Sequence, residues 1–579
     1  MHNSPSPLST PDTSPVPEAS PATISTGQSV ARATAGIGAL HLVRFVVGFI
    51  GQPLIAHNLG LRWHADVYVV ATEIVQRFWL VFEKVVNPAF LPNFIAALKE
   101  EGEERAWRLV STTLWVLSSL LVIASVSGWF VMPLLVDFLS QKAGPEQIEL
   151  TIRVARIMLL GLFFLGFSSF TYTILNGYKR FAFAAFGDAV WKFGVFVGAF
   201  AAFKLYGGPL EVFTEISKDR ALTSSEETQI LRLASQSLWL IVAGFVGGSV
   251  GKLVPHLWAI GPKWRLLRPK IDLQDPLARK MMALAIPLLL GILVSEFRSF
   301  YLQRLADDPS IQIEAGRAAL KWSRIIGDNL IQVFPYALSI GIFPFLADLA
   351  RERDRQPLTD TLLGALRICF FVFAPLTAIL IALRFPLLRA VWESGRLTQS
   401  DTLAMSAPFV AFTIGLVAFA CEMMLGQTFY AMTRAWTPTL IGIGTSLLWV
   451  IVATWGVSGL GWGLAAIAGA ESLAKSVKCL VMWHLLKPHL GEIKRHENAI
   501  FAIKVVVGAI IAALIAAFVI RFVAPDTGAE RFKLKMLLAV SIAGFGGVGG
   551  FLVFASCCKI EETRALGRVF GKISGRLRR

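Results

Sequence analysis

The sequence predicts an all-α polytopic membrane protein of about fourteen transmembrane helices, arranged as two parallel six-helix lobes plus two extra C-terminal helices. Three observations carry this expectation. Of the 579 residues, 55% are hydrophobic and 16% charged, with a mean hydropathy of +0.61; soluble domains carry about 25% charged residues. The apolar residues fall in runs near or above the roughly 20 needed to cross the hydrocarbon of a bilayer. Landmarks in the first half of the chain also return in the second at a constant spacing.

In chain order, residues 1–29 are rich in Ser, Pro and Thr, with no Lys or Arg before Arg32. A signal peptide needs a basic start and an apolar core, so this stretch reads as a disordered tail. Six apolar runs follow, at 33–57, 66–96, 108–138, 150–175, 182–204 and 230–260, making an N-terminal lobe over 30–262. Six more, at 279–304, 316–348, 360–389, 402–430, 436–457 and 461–485, make a C-terminal lobe over 277–488. Two further runs, 499–523 and 535–557, lie within 495–558, and a basic tail occupies 559–579. Each run far exceeds the 9–11 residues or so of a membrane strand, which excludes a barrel.

The basic residues set the orientation. An even number of crossings puts both termini on one side. Loops on that side hold Lys99, Arg105 and Arg108, then Lys179 and Arg180, then Lys263 to Lys280, Arg351 to Arg355, Arg434, and Lys487 to Arg495. The opposite loops are thinner in Lys and Arg, with Arg62, Lys142, Lys218, Arg220, Arg396 and Arg531 to Lys535. The positive-inside bias then makes both termini cytoplasmic. The same distribution accounts for the net charge of +16 without any nucleic-acid partner. The five cysteines have neither framework spacing nor a CxxC pair.

The repeat rests on two landmarks. Ala89-Phe90-Leu91-Pro92 closes the second run and Gly341-Ile342-Phe343-Pro344 the eighth; Asn176-Gly177-Tyr178 closes the fourth and Thr428-Phe429-Tyr430 the tenth. Both pairs are separated by 252 residues. Six crossings per half give parallel repeats, and substrate sites in such proteins form between the halves near the midplane.

Charge inside a spanning helix is costly and usually faces a cavity or a partner. The first run carries Arg44; the second carries Glu73, Arg77 and Lys84 on one face; the seventh holds Glu296, Arg298 and Arg304. The eighth carries Arg317, Lys321, Arg324, Asp328 and Gln332 in a single stripe. An excess of cations in an apolar wall suits an anionic headgroup, and the planar arginine fork suits phosphate. Arg44, Arg77 and Arg324 are therefore candidates for a pyrophosphate clamp. The competing reading neutralises Arg77 with Glu73 and Arg324 with Asp328, each four residues away. Arg304 and Arg317, near run ends, are expected to snorkel. Asp188 with Lys192 and Glu471 with Lys475 are spaced for local pairing. Glu422 has no partner on its own helix and is a candidate for a coupling cation or proton.

Several chemistries are excluded. Gly247-Gly248-Ser249-Val250-Gly251-Lys252-Leu253 lacks the first glycine and the Ser/Thr of a phosphate loop. Gly244/Gly248 and Gly247/Gly251 read instead as close-packing pairs. The histidines show no zinc spacing and no GxSxG elbow occurs, so no enzyme, cofactor or metal is expected.

With these landmarks in order, the chain resembles the lipid II flippase (MurJ/MviN) family of the multidrug/oligosaccharidyl-lipid/polysaccharide exporter superfamily. The resemblance is carried by Gly48-Phe49 to Gly60, Ala65-Asp66, Val69-Val70-Ala71 and Ala89-Phe90-Leu91-Pro92. It continues through Lys321-Trp322-Ser323-Arg324 to Pro344, Glu393-Ser394-Gly395-Arg396-Leu397-Thr398, Gly415-Leu416, Phe429-Tyr430-Ala431 and Thr437-Pro438. It covers about residues 33–490. It implies a monomeric multi-pass protein of the bacterial inner membrane that moves a polyprenyl-diphosphate-linked glycan by alternating access. A cationic central cavity would hold the diphosphate, and a groove by the last two helices the lipid tail. Residue by residue, Arg324 matches the family's cavity arginine on helix eight and Asp66 the acid opening helix two. Arg44 falls one position from the first-helix arginine, and Arg77 lies close to a second-helix basic site. Lys321, Glu296 and Arg298 complete the candidate binding set. The chain departs from the family at Gly51-Gln52, where Arg-Asp is typical, which leaves open a flippase for another polyprenyl-diphosphate oligosaccharide. A cation-coupled exporter would want a net acidic cavity. A membrane glycosyltransferase would want an acidic pair in a large loop, where the 205–229 loop offers Glu211, Glu215 and Asp219. A non-transporting scaffold is the remaining alternative.

Overall fold

The computed structural model describes residues 46–206, 224–394, 396–434, 436–525 and 532–563. The tail over 1–29, Arg44, Glu211, Glu215, Asp219 and the basic residues beyond Thr563 lie outside the described residues. Among the described residues the chain is helical, with one isolated bridge between Ser394 and Leu397 and no strand. In order the helices are α1 (Val46–Leu59), α2 (Trp63–Glu100), α3 (Glu103–Leu139), α4 (Pro145–Gly177), α5 (Phe181–Tyr206) and α6 (Ser224–Ile260). They continue with α7 (Pro276–Leu305), α8 (Gly316–Leu349), α9 (Gln356–Ala382), the short α10 (Arg384–Trp392), α11 (Gln399–Ile414) and α12 (Leu416–Ala431). The last four are α13 (Trp436–Thr454), α14 (Gly463–Leu486), α15 (Arg495–Val523) and α16 (Phe532–Cys557).

A helix lies over each apolar run expected from the sequence, and the ninth and tenth runs each divide into two helices. Among the described residues, nine helical stretches are long and apolar enough to cross a membrane: α3, α4, α5, α6, α9, α11–α12, α13, α15 and α16. The set leaves out short α1 and α10 and also α2, α7, α8 and α14, four helices that carry intramembrane charge. Helices that wall a polar site give up apolarity on one face, so this division already points to where the site lies.

Local chemistry sets the ends. Gly60, at φ +64°, turns the chain out of α1 with its N–H on Ala56 O at 2.8 Å. Asp275 caps α7 by accepting from Leu277 N at 2.8 Å, ahead of Pro276 at the first helical position. Thr398 and Asp401 form a reciprocal capping box at the start of α11. The break between α11 and α12 has a specific cause: Ser472 Oγ of α14 donates to Ala411 O at 2.5 Å, entering the helical hydrogen-bond ladder. A Cβ on Gly415 would stand 2.5 Å from that Oγ, so the glycine permits the approach.

Helices α5 and α6 pack most closely. Gly194 and Gly198 of α5 mesh with Gly248 and Gly244 of α6, where an added Cβ would meet backbone atoms at 2.4–2.9 Å. In hydrocarbon such contact relies on van der Waals packing, which small residues maximise. Gly247 faces nothing within 4 Å, so of the two glycine pairs expected from the sequence only Gly244/Gly248 is a packing seam.

Three apolar cores result. The largest runs from α1 and α2 through α4–α6 into α7–α9 and α11–α14. A second gathers the ends of α2 and α4 with the start of α3 and the linker before α7. The third joins α15 and α16 to α9 and α10.

Candidate functional site

The intramembrane charges of α2, α7 and α8 converge. Arg77 donates to Glu73 on its own helix at 3.0 Å and to Glu296 on α7 at 3.3 Å. Lys84 reaches the other Glu296 oxygen at 3.3 Å. Lys321 of α8 holds the second Glu73 oxygen at 3.0 Å. One continuous chain of ion pairs, Lys84–Glu296–Arg77–Glu73–Lys321, therefore crosses from α7 over α2 to α8. Arg324 lies one turn beyond Lys321, bound through Nε to both Asp328 oxygens at 2.8 and 3.0 Å and stacked over Phe412 at 5.4 Å. The local pairings Arg77–Glu73 and Arg324–Asp328 both form. Arg77 nonetheless takes a second carboxylate from another helix, which helical spacing alone does not reveal.

Side-chain exposures of 30% for Arg77, 46% for Lys84, 25% for Lys321 and 32% for Arg324 keep these cations partly accessible, whereas Glu296 is 5% exposed. The cations thus stay partly accessible, while Glu296, shared by Arg77 and Lys84, is buried. Arg44, the third candidate for the clamp, lies outside the described residues.

Other candidates stand elsewhere. Arg298 turns toward α14, where Glu471 accepts at 2.8 Å, and lies over Trp449 at 5.2 Å. Glu422, with no partner on its own helix, holds Lys475 at 2.7 Å and Lys478 at 2.6 Å, both from α14. This corrects the local pairing expected of Glu471 with Lys475, because each side chain finds a partner on a neighbouring helix. Asp188 also pairs with Lys252 of α6 at 2.7 Å, with Lys252 2% exposed and over the Trp79 ring at 5.2 Å. Across α2, α7, α8, α12 and α14, seven cations in these pairs face five carboxylates.

Asp66 is wholly buried and does not face the exposed cations. It accepts from Ala318 N at 2.9 Å and lies 3.7 Å from Arg317, which also holds Asp307 at 3.2 Å and the carbonyls of Gln303 and Leu139 at 2.9 and 2.5 Å. Arg317 was expected to snorkel; its side chain is instead 1% exposed, because the 140–144 and 306–315 loops fold over the start of α8. Around this triad, Arg62 pairs with Glu314 at 3.2 Å and Lys142 donates to Ile311 O at 3.0 Å. Burial pushes the Lys142 ammonium pKa down from its ordinary value, against the pull of Asp307 and Asp66. Arg396, from the loop before α11, donates to the Asn58 and Tyr206 carbonyls at the ends of α1 and α5. Together these contacts close one end of the molecule between its halves. Asp66 with Ala318 and Arg62 with Glu314 are each separated by 252 residues. Positions related by a two-fold axis touch only beside that axis, so an axis relating the halves would run through this closure.

Among the described residues no group of three or more His, Cys, Asp or Glu side chains gathers to hold a metal.

The profile of the family "Lipid II flippase MurJ" matches residues 55–537. A probable lipid II flippase MurJ of Haemophilus influenzae is 25% identical over 500 residues, covering 81% of this chain and 88% of the relative. The lipid II flippase MurJ of Burkholderia cenocepacia is 24% identical over 461 residues, covering 76% and 82%. Among solved structures, a lipid II flippase MurJ in an inward closed conformation superposes with a TM-score of 0.66 at 18% identity, over 90% of this chain and 98% of that one. An inward-facing multidrug transporter of the MATE family and MOP superfamily superposes at 0.61 and 16% identity, over 77% and 94%. At these identities the structures speak for the fold alone.

Proposed function

The chain belongs to the lipid II flippase MurJ family, and from that premise we propose that it moves the lipid-linked peptidoglycan precursor lipid II across the bacterial inner membrane by alternating access. The observation that carries the reading is the ion-pair chain across α2, α7 and α8, in which partly accessible cations share a buried Glu296. A diphosphate diester arriving at Arg77, Lys84, Lys321 and Arg324 brings two negative charges, enough to stand in for two of the three carboxylates Glu73, Glu296 and Asp328. Binding can thus proceed by exchange of one anion for another, avoiding the cost of stripping cations bare in a low-dielectric wall. Arg77 and Arg324 supply planar forks for phosphate oxygens, and Lys84 and Lys321 supply point charges. Arg44, four residues before Gly48, joins this set as the remaining candidate of the clamp. Glu296 and Arg298 act from behind it, and Glu422 is assigned to holding Lys475 and Lys478 rather than a coupling ion.

In the same reading, residues 30–262 and 277–488 are the two lobes that rock against each other, and 495–558 is the appendage beside the lipid tail. All fourteen helical runs cross the bilayer, both termini are cytoplasmic and the protein works as a monomer. Asp66, Arg317 and Asp307 then close the periplasmic side, and their opening would be the outward step. The activity is transport, with no chemical conversion of the glycan.

A second reading, a flippase for another polyprenyl-diphosphate oligosaccharide, is favoured by one feature. Gly51 is buried on α1, with a Cβ position 4.0 Å from Phe196 Cα, and the neighbouring Gln52 Oε1 is buried with no hydrogen bond among the described residues. This stretch of α1 is thus neutral and closely packed. Rescue of cells depleted of their own lipid II flippase tests the choice. The wild-type chain should restore growth and Arg324→Ala should not. Failure of the wild-type chain to rescue, with normal membrane insertion, would move the assignment to the second reading.

A further inference from the structure

A cavity of about 340 Å³ lies inside the second half, walled by α12, α13 and α14 and by Arg298 of α7. None of Arg77, Lys84, Lys321 and Arg324 lines it, and Arg298 turns its guanidinium to Glu471 of α14. Both Lys475 and Lys478 line it. Their ammonium groups share one carboxylate, Lys475 on Glu422 Oε2 at 2.7 Å and Lys478 on Oε1 at 2.6 Å. Glu471 balances Arg298, but one carboxylate cannot balance two ammoniums, so the site carries an excess positive charge. Each ammonium has three donors, of which Glu422 takes one. With side chains only 28% and 19% exposed, Lys475 and Lys478 have limited water to replace the missing anion.

The wall opposite is built to receive one. A Cβ on Gly442 of α13 would stand 3.5 Å from Lys478 Nζ, so the glycine keeps the cavity side of that ammonium clear. Pro438 and Thr439, in the first turn of α13, place a helix N-terminus on the wall. We infer that this cavity binds a phosphate-class oxyanion, free or on a lipid headgroup, with Lys475 and Lys478 as its cationic contacts. The inference involves no transport step and stands apart from the flippase reading.

The full chain, purified in neutral detergent, is titrated with inorganic phosphate at an ionic strength held constant with chloride, and thermal unfolding is followed. In a parallel arm it is reconstituted in phosphatidylcholine nanodiscs with and without phosphatidylglycerol. A saturable rise in Tm with phosphate identifies a free anion; a rise with phosphatidylglycerol alone identifies a headgroup. In either case Lys478→Met should weaken the response about tenfold, the loss of one charge-assisted hydrogen bond, while raising Tm without anion by removing the excess charge. Lys478→Arg should keep the response. If Lys478→Met does not fold, Gly442→Val crowds the ammonium without removing charge and should weaken binding alike. Absence of a saturable rise in both arms, or identical titrations in wild type, Lys478→Met and Gly442→Val, would overturn the inference.

Discussion

Replacing Arg317 by Met tests whether the closed end of the molecule is held by charge. The guanidinium lies 3.2 Å from Asp307 and 3.7 Å from Asp66, and it also satisfies the Gln303 and Leu139 carbonyls at 2.9 and 2.5 Å. All three side chains are at most 1% exposed. Methionine fills much of the volume but leaves two buried carboxylates without a cation. Breaking a buried pair by removing one partner costs about 3–5 kcal/mol. In the proposed cycle, separation at this end would bring Asp66 and Asp307 to water, so the penalty would fall on the closed state alone. At about 3 kcal/mol the closed-to-open ratio drops roughly 150-fold, enough to turn a largely closed population into a largely open one. Spin labels at the exposed Glu146 and Ser310, one on each side of the closure, read the change as a longer distance by double electron–electron resonance. A triple variant that adds Asp66→Asn and Asp307→Asn should recover most of the short distance. If Arg317→Met folds and keeps the wild-type distance distribution, the closure is held by packing and the electrostatic account is wrong.

Three further outcomes follow from the geometry. Gly194→Ala should lower the thermal stability of the detergent-solubilised protein by several degrees, because its Cβ would meet Gly248 Cα at 2.4 Å; Gly247→Ala, with nothing within 4 Å, should leave it unchanged. Gly60→Ala should also destabilise, combining a φ of +64° with a Cβ 2.7 Å from Arg396 O, by about 1–2 kcal/mol from the backbone alone; equal melting curves would discount the strain. The Arg105 guanidinium holds the Asp275 carboxyl below the usual carboxylate range. A depressed carboxylate pKa gives stability that is complete above about pH 4 and lost as pH falls through the folded value. The melting difference between wild type and Asp275→Asn should therefore be constant from neutral to mildly acidic pH and shrink below about pH 4; a difference that grows with acid would reverse the assignment.

The helices were legible because hydrocarbon thickness imposes a length and composition that no soluble fold demands. The break at Gly415 was not, since it depends on Ser472 of a neighbouring helix. The candidate site was legible as a set of helices and less so as a set of pairs. Spacing along one helix correctly joined Arg77 to Glu73 and Arg324 to Asp328. It gave the wrong partner for Glu471, because a side chain pointing into a bundle meets the next helix before its own next turn. The role of Arg317 was hidden for a related reason: a position near a helix end is wet or buried according to the loops above it. Gly194 and Gly198 carry the same small-residue spacing as Gly244 and Gly248, so that seam was open to the same reading from the sequence.

The contacts between Asp66 and Ala318 and between Arg62 and Glu314 bear on how such a molecule is encoded. Two identical copies of a half-length chain would bring each of these positions against itself, acid against acid at the buried Asp66 and arginine against arginine at Arg62. A single polypeptide escapes that constraint, because the two sides of the junction are specified separately. Here one side supplies a carboxylate and the other a bare amide; one supplies a guanidinium and the other its counter-charge. The seam between the halves is complementary where an exact duplicate would be self-repelling.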